Sequence, residues 1–178
     1  MRRWLGATLV WGGLAAALGT STWIVTEQAR AGYLSAEPLV AIEPGGDGWA
    51  TIDGSSVRVM SFEQERVVKG DYGERVQAPE GYRIWRLEIA VESDLDDTVR
   101  CQPRVIDERG RTFTPVDDAA VDLPVWNDTE LDCGAQDDPS LETRFVLPED
   151  ATPVRLDLVD DSGWNFSPEF YRFPLTDR

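Results

Sequence analysis

The sequence predicts an all-β sandwich of about seven or eight short strands, carried behind a single N-terminal transmembrane helix. Three observations predict it. A charge-free apolar run opens the chain, apolar and polar residues alternate with period two from Trp49 onward, and turn-forming Gly, Pro, Asp and Asn separate the alternating segments.

The apolar run is Trp4–Val25, 22 residues without an Asp, Glu, Lys or Arg, preceded by Arg2 and Arg3. As a helix it spans roughly 33 Å, enough to cross the hydrocarbon core of a bilayer. The two arginines on its short side, with Glu27, Glu37 and Glu43 beyond it, orient the N-terminus inward and the rest of the chain outside the cytoplasmic membrane. Trp4 and Trp23 stand near its ends, where indole rings favour the lipid–water interface. The alternative is a leader removed near Ala31, since Ala29-Arg30-Ala31 has the small-x-small form of a signal-peptidase site; the chain would then be secreted. The run exceeds the roughly 7–15 apolar residues of a leader, which favours the uncleaved anchor. Both readings place the domain outside.

Residues 26–48 read as a juxtamembrane stalk, because Pro38, Pro44, Gly45, Gly46 and Gly48 interrupt any sustained period. Strands are expected next at Trp49–Ile52 and Ser56–Phe62, around a tight turn at Asp53-Gly54-Ser55. Arg83–Glu92 is the clearest strand. There Trp85, Leu87, Ile89 and Val91 share one face, and Arg86, Glu88 and Glu92 the other. Val99–Ile106 follows, turning through Asp107-Glu108-Arg109-Gly110 into Arg111–Thr114. Leu141–Leu147 alternates Leu141, Thr143, Phe145 and Leu147 inward with Glu142 and Arg144 outward. Val154–Val159 and a segment holding Tyr171, Phe173 and Leu175 complete the set. This number and spacing of strands matches an immunoglobulin-like sandwich in size, occupying residues 49–178.

Cys101 and Cys133 both fall in the exported part, where a pair of cysteines is most simply a disulfide. Closing a loop of about 33 residues stabilises by roughly 3.7 kcal/mol on the chain-entropy estimate. Asp128, Glu130 and Asp132 nearby oppose thiolate formation, which argues against a redox role.

Charge and composition exclude whole classes of function. The chain has 33 acidic and 17 basic residues, net −16. With Arg2 and Arg3 left inside, the remainder carries −18, a field that repels phosphate backbones and anionic headgroups. Histidine is absent, so the commonest general base and imidazole metal ligand are both missing. No phosphate-cradling or zinc-ligating spacing occurs, so no catalytic residue and no cofactor is expected. A carboxylate pair serving hydrolysis is the least favoured alternative.

Two groups of candidate site residues remain. Trp126, Trp164 and Phe166 are aromatics in loop segments, the residue type that anchors interfaces. Asp94, Asp96, Asp97, Asp160 and Asp161 are strand-end carboxylates of the type that chelates Ca²⁺, although their spacing follows no calcium loop. Asn127-Asp128-Thr129 and Asn165-Phe166-Ser167 are formal glycosylation sequons. They are discounted because near-exclusive use of arginine over lysine, with Lys69 the one exception, points to a high-GC bacterium.

Tyr82–Ser93, Val105–Phe113 with its Asp107-x-x-Gly110 hairpin, Phe145-Val146-Leu147-Pro148 and Leu156-Asp157-Leu158 follow one another in an order that resembles a known family. It is the telokin-like, immunoglobulin-fold domain family of bacterial exported proteins and lipoproteins, whose function is largely unknown. The resemblance covers about two-thirds of the chain. It implies the fold and an extracytoplasmic location, and supplies no catalytic residues. This chain departs from it in having no lipobox cysteine and in its Cys101–Cys133 pair.

The expected function is therefore a membrane-anchored, extracytoplasmic, non-enzymatic module that binds a protein partner at the cell surface or serves envelope assembly. A cation or small-ligand sensor is the alternative.

Overall fold

The computed structural model describes residues 40–69, 73–95, 98–117, 127–134, 141–160 and 168–175. The membrane-helix segment and residues 26–39 of the stalk lie outside the described residues. Among those described, no helix is long and apolar enough to cross a membrane.

Twelve strands form among the described residues. In chain order they are β1 (Val40–Ile42), β2 (Ala50–Ile52), β3 (Ser55–Glu65), β4 (Val68–Lys69), β5 (Arg75–Val76), β6 (Tyr82–Ser93), β7 (Arg100–Asp107), β8 (Thr112–Phe113), β9 (Leu131–Asp132), β10 (Leu141–Pro148), β11 (Pro153–Asp160) and β12 (Glu169–Pro174). One sheet runs β1-β12-β11-β7-β8, with β9 on the same edge of β7; the other runs β10-β6-β3-β2. The short β4–β5 hairpin stands apart. Neighbours are antiparallel except β1 and β12.

The alternation explains the two-layer packing. Val57 and Val59 of β3, Leu87, Ile89 and Val91 of β6, and Phe145 and Leu147 of β10 face the other sheet's Val105, Leu156, Leu158 and Phe173. All are nearly inaccessible, and each such side chain is worth roughly 1.5–3 kcal/mol of transfer from water. The result is a β-sandwich, as the sequence predicts. Trp85 belongs to the same face but only half-buried: its ring stacks on Phe62 at 5.0 Å, and Phe62 meets Phe145 edge-on at 6.1 Å.

Three expectations are corrected. The strands outnumber the seven or eight expected, because β1, β4, β5 and β9 are only two or three residues long, too short to show a period. Residues 40–48 are not spacer throughout, because Val40–Ile42 pairs in parallel with Glu169–Tyr171. Three residues are too few to show a period, and Pro44 and the glycines after them mask the strand. Arg144, assigned outward to solvent, is only 5% exposed. It does lie on the face away from the main core, but that face is covered: Val68, Val76, Ala78 and Val116 pack there against Ile84 and Val146. The buried guanidinium is held by Glu65 at 3.0 Å and Glu142 at 3.1 Å.

Among the described residues no strand pairs with β10 on the edge away from β6, and a side chain engages that edge. Asn127 Nδ2 donates to the Arg144 carbonyl at 3.1 Å and to the Val116 carbonyl at 2.7 Å, while its Oδ1 accepts from the Arg144 N–H at 2.8 Å. With the Val116 N–H, which also donates to the Arg144 carbonyl at 3.2 Å, the amide pairs the backbone of Arg144 and blunts an edge that would otherwise invite aggregation. With both Nδ2 protons engaged and 4% of the residue exposed, Asn127 is no glycan acceptor in the folded chain.

Candidate functional site

The strand ends of both sheets converge on a cavity of about 480 Å³. Its position follows from the turn that starts β3. Asp53 and Gly54 have φ of 46° and 88°, the two left-handed residues of a type I′ hairpin turn, which delivers Ser55 into the interior at 1% exposure. The Ser55 hydroxyl donates to the Cys133 carbonyl, and its own carbonyl accepts from the Tyr171 hydroxyl at 3.0 Å. The Cys133 N–H donates to the Val99 carbonyl at 2.7 Å. The Cys101–Cys133 disulfide, Cα atoms 5.8 Å apart, pins the chain after β9 to β7 at the same place.

This network gives the cavity a buried apolar floor. Cys101, Leu158, Phe170 and Tyr171 line it with at most 6% exposure, and half-buried Ile52, Leu95 and Val99 form its walls. Asp53, Asp160 and Glu169 bring carboxylates to the lining. Burial pushes the Tyr171 phenol above its ordinary value, and the neighbouring Asp53 and Asp160 add to the effect. Tyr171 is therefore a neutral donor committed to Ser55. An apolar pocket with a few convergent polar groups can hold an apolar moiety and orient a polar one.

A second hollow, of about 580 Å³, lies along β9 and β10 and is polar, with Asp128, Glu130, Asp132 and Glu142 against Arg100. Its carboxylates serve the fold. Asp132 Oδ1 accepts from the Val99 and Gly134 N–H groups, and Glu130 pairs with Arg100 at 3.4 Å.

The sequence-predicted site residues divide. The disulfide is present, and it sits at the cavity. Asp160 lines the cavity, whereas Asp94 lies beyond the end of β6 with its N–H donating to the Gly54 carbonyl at 3.2 Å. Asp96, Asp97 and Asp161 lie outside the described residues, as do Trp126, Trp164 and Phe166. Among the described residues no group of three or more metal-ligating side chains assembles. The segment carrying Trp164 and Phe166 joins Asp160 to Pro168, both of which line the cavity. Ser55 and Tyr171 were not singled out as site residues from the sequence. The available signal was a serine directly after an Asp-Gly turn, where a strand begins, and an aromatic at an inward position of the last strand.

No family model and no curated protein matches the chain. Among solved structures, it is similar to an uncharacterized β-sandwich protein from Clostridium difficile 630, with 12% identity over 77% of this chain and 94% of that one, at a TM-score of 0.42. It is also similar to a conserved hypothetical protein from Bacillus anthracis, with 11% identity over 61% of this chain and 83% of that one, at a TM-score of 0.43.

Proposed function

We propose that this chain is a membrane-anchored, extracytoplasmic immunoglobulin-like module that binds a protein partner without catalysing a reaction. The observation that carries this reading is the cavity between the two sheets at one end of the sandwich, walled by apolar side chains from both. Interfaces draw their affinity from a few side chains buried in such pockets. The telokin-like resemblance of the central strands supports the fold and location, and the 22-residue apolar run supports the anchor.

Chain direction adds to the case. Val40 pairs with Glu169 and its N–H donates to the Pro168 carbonyl at 3.0 Å, so the chain joins the sandwich at the cavity end. It leaves at the other end, where the Leu175 N–H donates to the Val154 carbonyl. With an anchor at residues 4–25, the cavity end is the tethered one, and the partner is a protein met close to the membrane surface.

The test is site-specific photo-crosslinking in intact cells. A photoreactive residue at Leu95 is expected to capture one defined membrane or envelope protein, while one at Arg109, in the turn at the far end, captures none. Equal labelling from both positions, or none from Leu95, overturns the reading.

A further inference from the structure

We infer that the outer face of the sheet holding β7, β11 and β12 docks an extended acidic segment of a partner protein, one with Glu or Asp at every second position. The sign of the charge on that face and the spacing of the groups that bear it carry this.

Alternation decides which side chains point outward. Val105, Leu156, Leu158, Tyr171 and Phe173 belong to the core, so Arg104, Arg155, Asp157 and Arg172 stand on the opposite face. Three guanidiniums thus surround one carboxylate, in a chain at net −16. Asp157 cannot balance them. Arg172 occupies both of its oxygens, with Nε and Nη2 donating at 3.0 and 3.3 Å. Arg155 Nε stands 3.3 Å from the same carboxylate without the alignment of a hydrogen bond. Arg104 gives its Nε and Nη2 protons to the neutral Gln102 Oε1 at 3.2 and 3.0 Å, and no carboxylate among the described residues pairs with it. The cluster therefore carries an excess of two positive charges. It is open to solvent, since Arg155 and Arg172 keep 39% and 29% of their side-chain surface exposed. At physiological salt the Debye length is about 8 Å, so a group approaching this face feels the cluster before the chain's more distant acids.

The spacing selects the occupant. Asp157 lies directly between Arg104 and Arg172 on the neighbouring strands. Arg155 is two residues back along β11, a diagonal neighbour of both at about 7–8 Å. In an extended segment, side chains two residues apart share a face and lie about 6.5 Å apart. Carboxylates at i and i+2 can therefore meet Arg155 and one of its diagonal neighbours together, each guanidinium presenting paired donors to a planar acceptor. The acidic remainder of the chain repels the same segment, which confines docking to this face.

The experiment uses the full chain in nanodiscs of zwitterionic lipid and two labelled, blocked peptides of equal charge. One repeats Ser-Glu six times; the other repeats Glu-Glu-Ser-Ser three times and has no acidic pair at i and i+2. Fluorescence anisotropy should show the first binding at least fivefold tighter, weakening as salt rises. Arg104→Gln with Arg155→Gln should lower its affinity at least tenfold; Arg172 is kept so that Asp157 retains its partner. Arg66→Gln with Arg75→Gln, the same charge change on exposed arginines elsewhere, should shift it less than twofold. Arg104→Lys with Arg155→Lys restores the charge and should recover binding in part, which separates loss of charge from misfolding. The inference is overturned if the two peptides bind equally, if neither binds, or if both glutamine variants weaken binding alike. If neither peptide binds while anionic lipid in the disc shields Arg155 from phenylglyoxal, the face meets a membrane and the inference falls. None of these arginines lines the end cavity, so the result stands or falls separately from the Leu95 crosslink.

Discussion

The Tyr171 hydroxyl, on β12, donates a 3.0 Å hydrogen bond to the Ser55 carbonyl on β3 and so ties the two sheets together beneath the cavity. Both residues are nearly inaccessible, at 4% and 1% exposure. Removing the hydroxyl deletes this inter-sheet bond, while the Ser55 carbonyl keeps its place in the hairpin pairing with Ile52. Tyr171→Phe is therefore expected to destabilise the domain by about 0.5–1.5 kcal/mol, read as a lower denaturant midpoint with an unchanged slope.

The same contact gives stability an alkaline limit. Burial raises the Tyr171 pKa above the ordinary 10.0, so the folded domain favours the neutral phenol more than the unfolded chain does. That contribution is complete below pH 10.0 and is lost as pH climbs through the raised folded value. Thermal melts should show stability falling in this alkaline window, and Tyr171→Phe should flatten that part of the profile.

At the far end of the sandwich the pH dependence has the opposite sign. Asp107 and Arg111 pair at 2.7 Å across the β7–β8 turn, and Asp150 accepts from Arg111 at 3.0 Å and also from Arg109. For Asp107, burial alone would raise the pKa; the Arg111 guanidinium, with the Arg111 and Arg109 N–H groups, outweighs it and holds the carboxyl below the ordinary 3.8. Hydrogen bonds from Arg111 and Arg109 lower Asp150 likewise. Carboxyls with lowered folded values stabilise above pH 3.8 and lose that contribution as pH falls through the folded value. Asp107→Asn should reduce stability at neutral pH and make the acid limb of the curve shallower, measured by melts between pH 7 and about pH 2.

How much of this was legible in the sequence depends on strand length and on what covers each face. Tyr82–Ser93 announces itself because its alternation, broken only at Ala90 between Arg86 and Glu92, sets Leu87, Ile89 and Val91 against Arg86, Glu88 and Glu92. Val68–Lys69 and Arg75–Val76 are two residues each, too short for any period, and their place over Ile84 is fixed by tertiary packing alone. The same hairpin explains Arg144: alternation correctly gives the face, and says nothing about what lies on top of it. For the site, the chain's two cysteines and its strand-end acids pointed to Cys101, Cys133 and Asp160. Their convergence with Ser55 and Tyr171 depends on β12 pairing beside β1 in one sheet and on β3 lying in the opposite sheet, a non-local arrangement no short pattern encodes.

The disulfide supports the site as well as the domain. It closes a separation of 32 residues between β7 and the turn after β9, and replacing both cysteines by alanine should destabilise by about 3–4 kcal/mol on the loop-closure estimate.

The final prediction concerns Asn127, whose side-chain amide makes three hydrogen bonds at the edge of β10. Asn127→Ala deletes all three and strands the Arg144 N–H and the Val116 carbonyl. Asn127→Asp is the sharper variant, because it keeps the acceptor for the Arg144 N–H and loses both donors, turning them into a carboxylate facing two carbonyl oxygens. A buried carboxylate so placed is worse than a missing side chain, so the aspartate is expected to be the more destabilising of the two, with the alanine costing about 2–4 kcal/mol. Both open an edge strand whose inward residues are Thr143, Phe145 and Leu147. Sedimentation velocity should therefore show concentration-dependent association in either variant under conditions where the unaltered protein sediments as one species. If Asn127→Asp melts at the wild-type temperature and sediments unchanged, the amide is not what closes this edge.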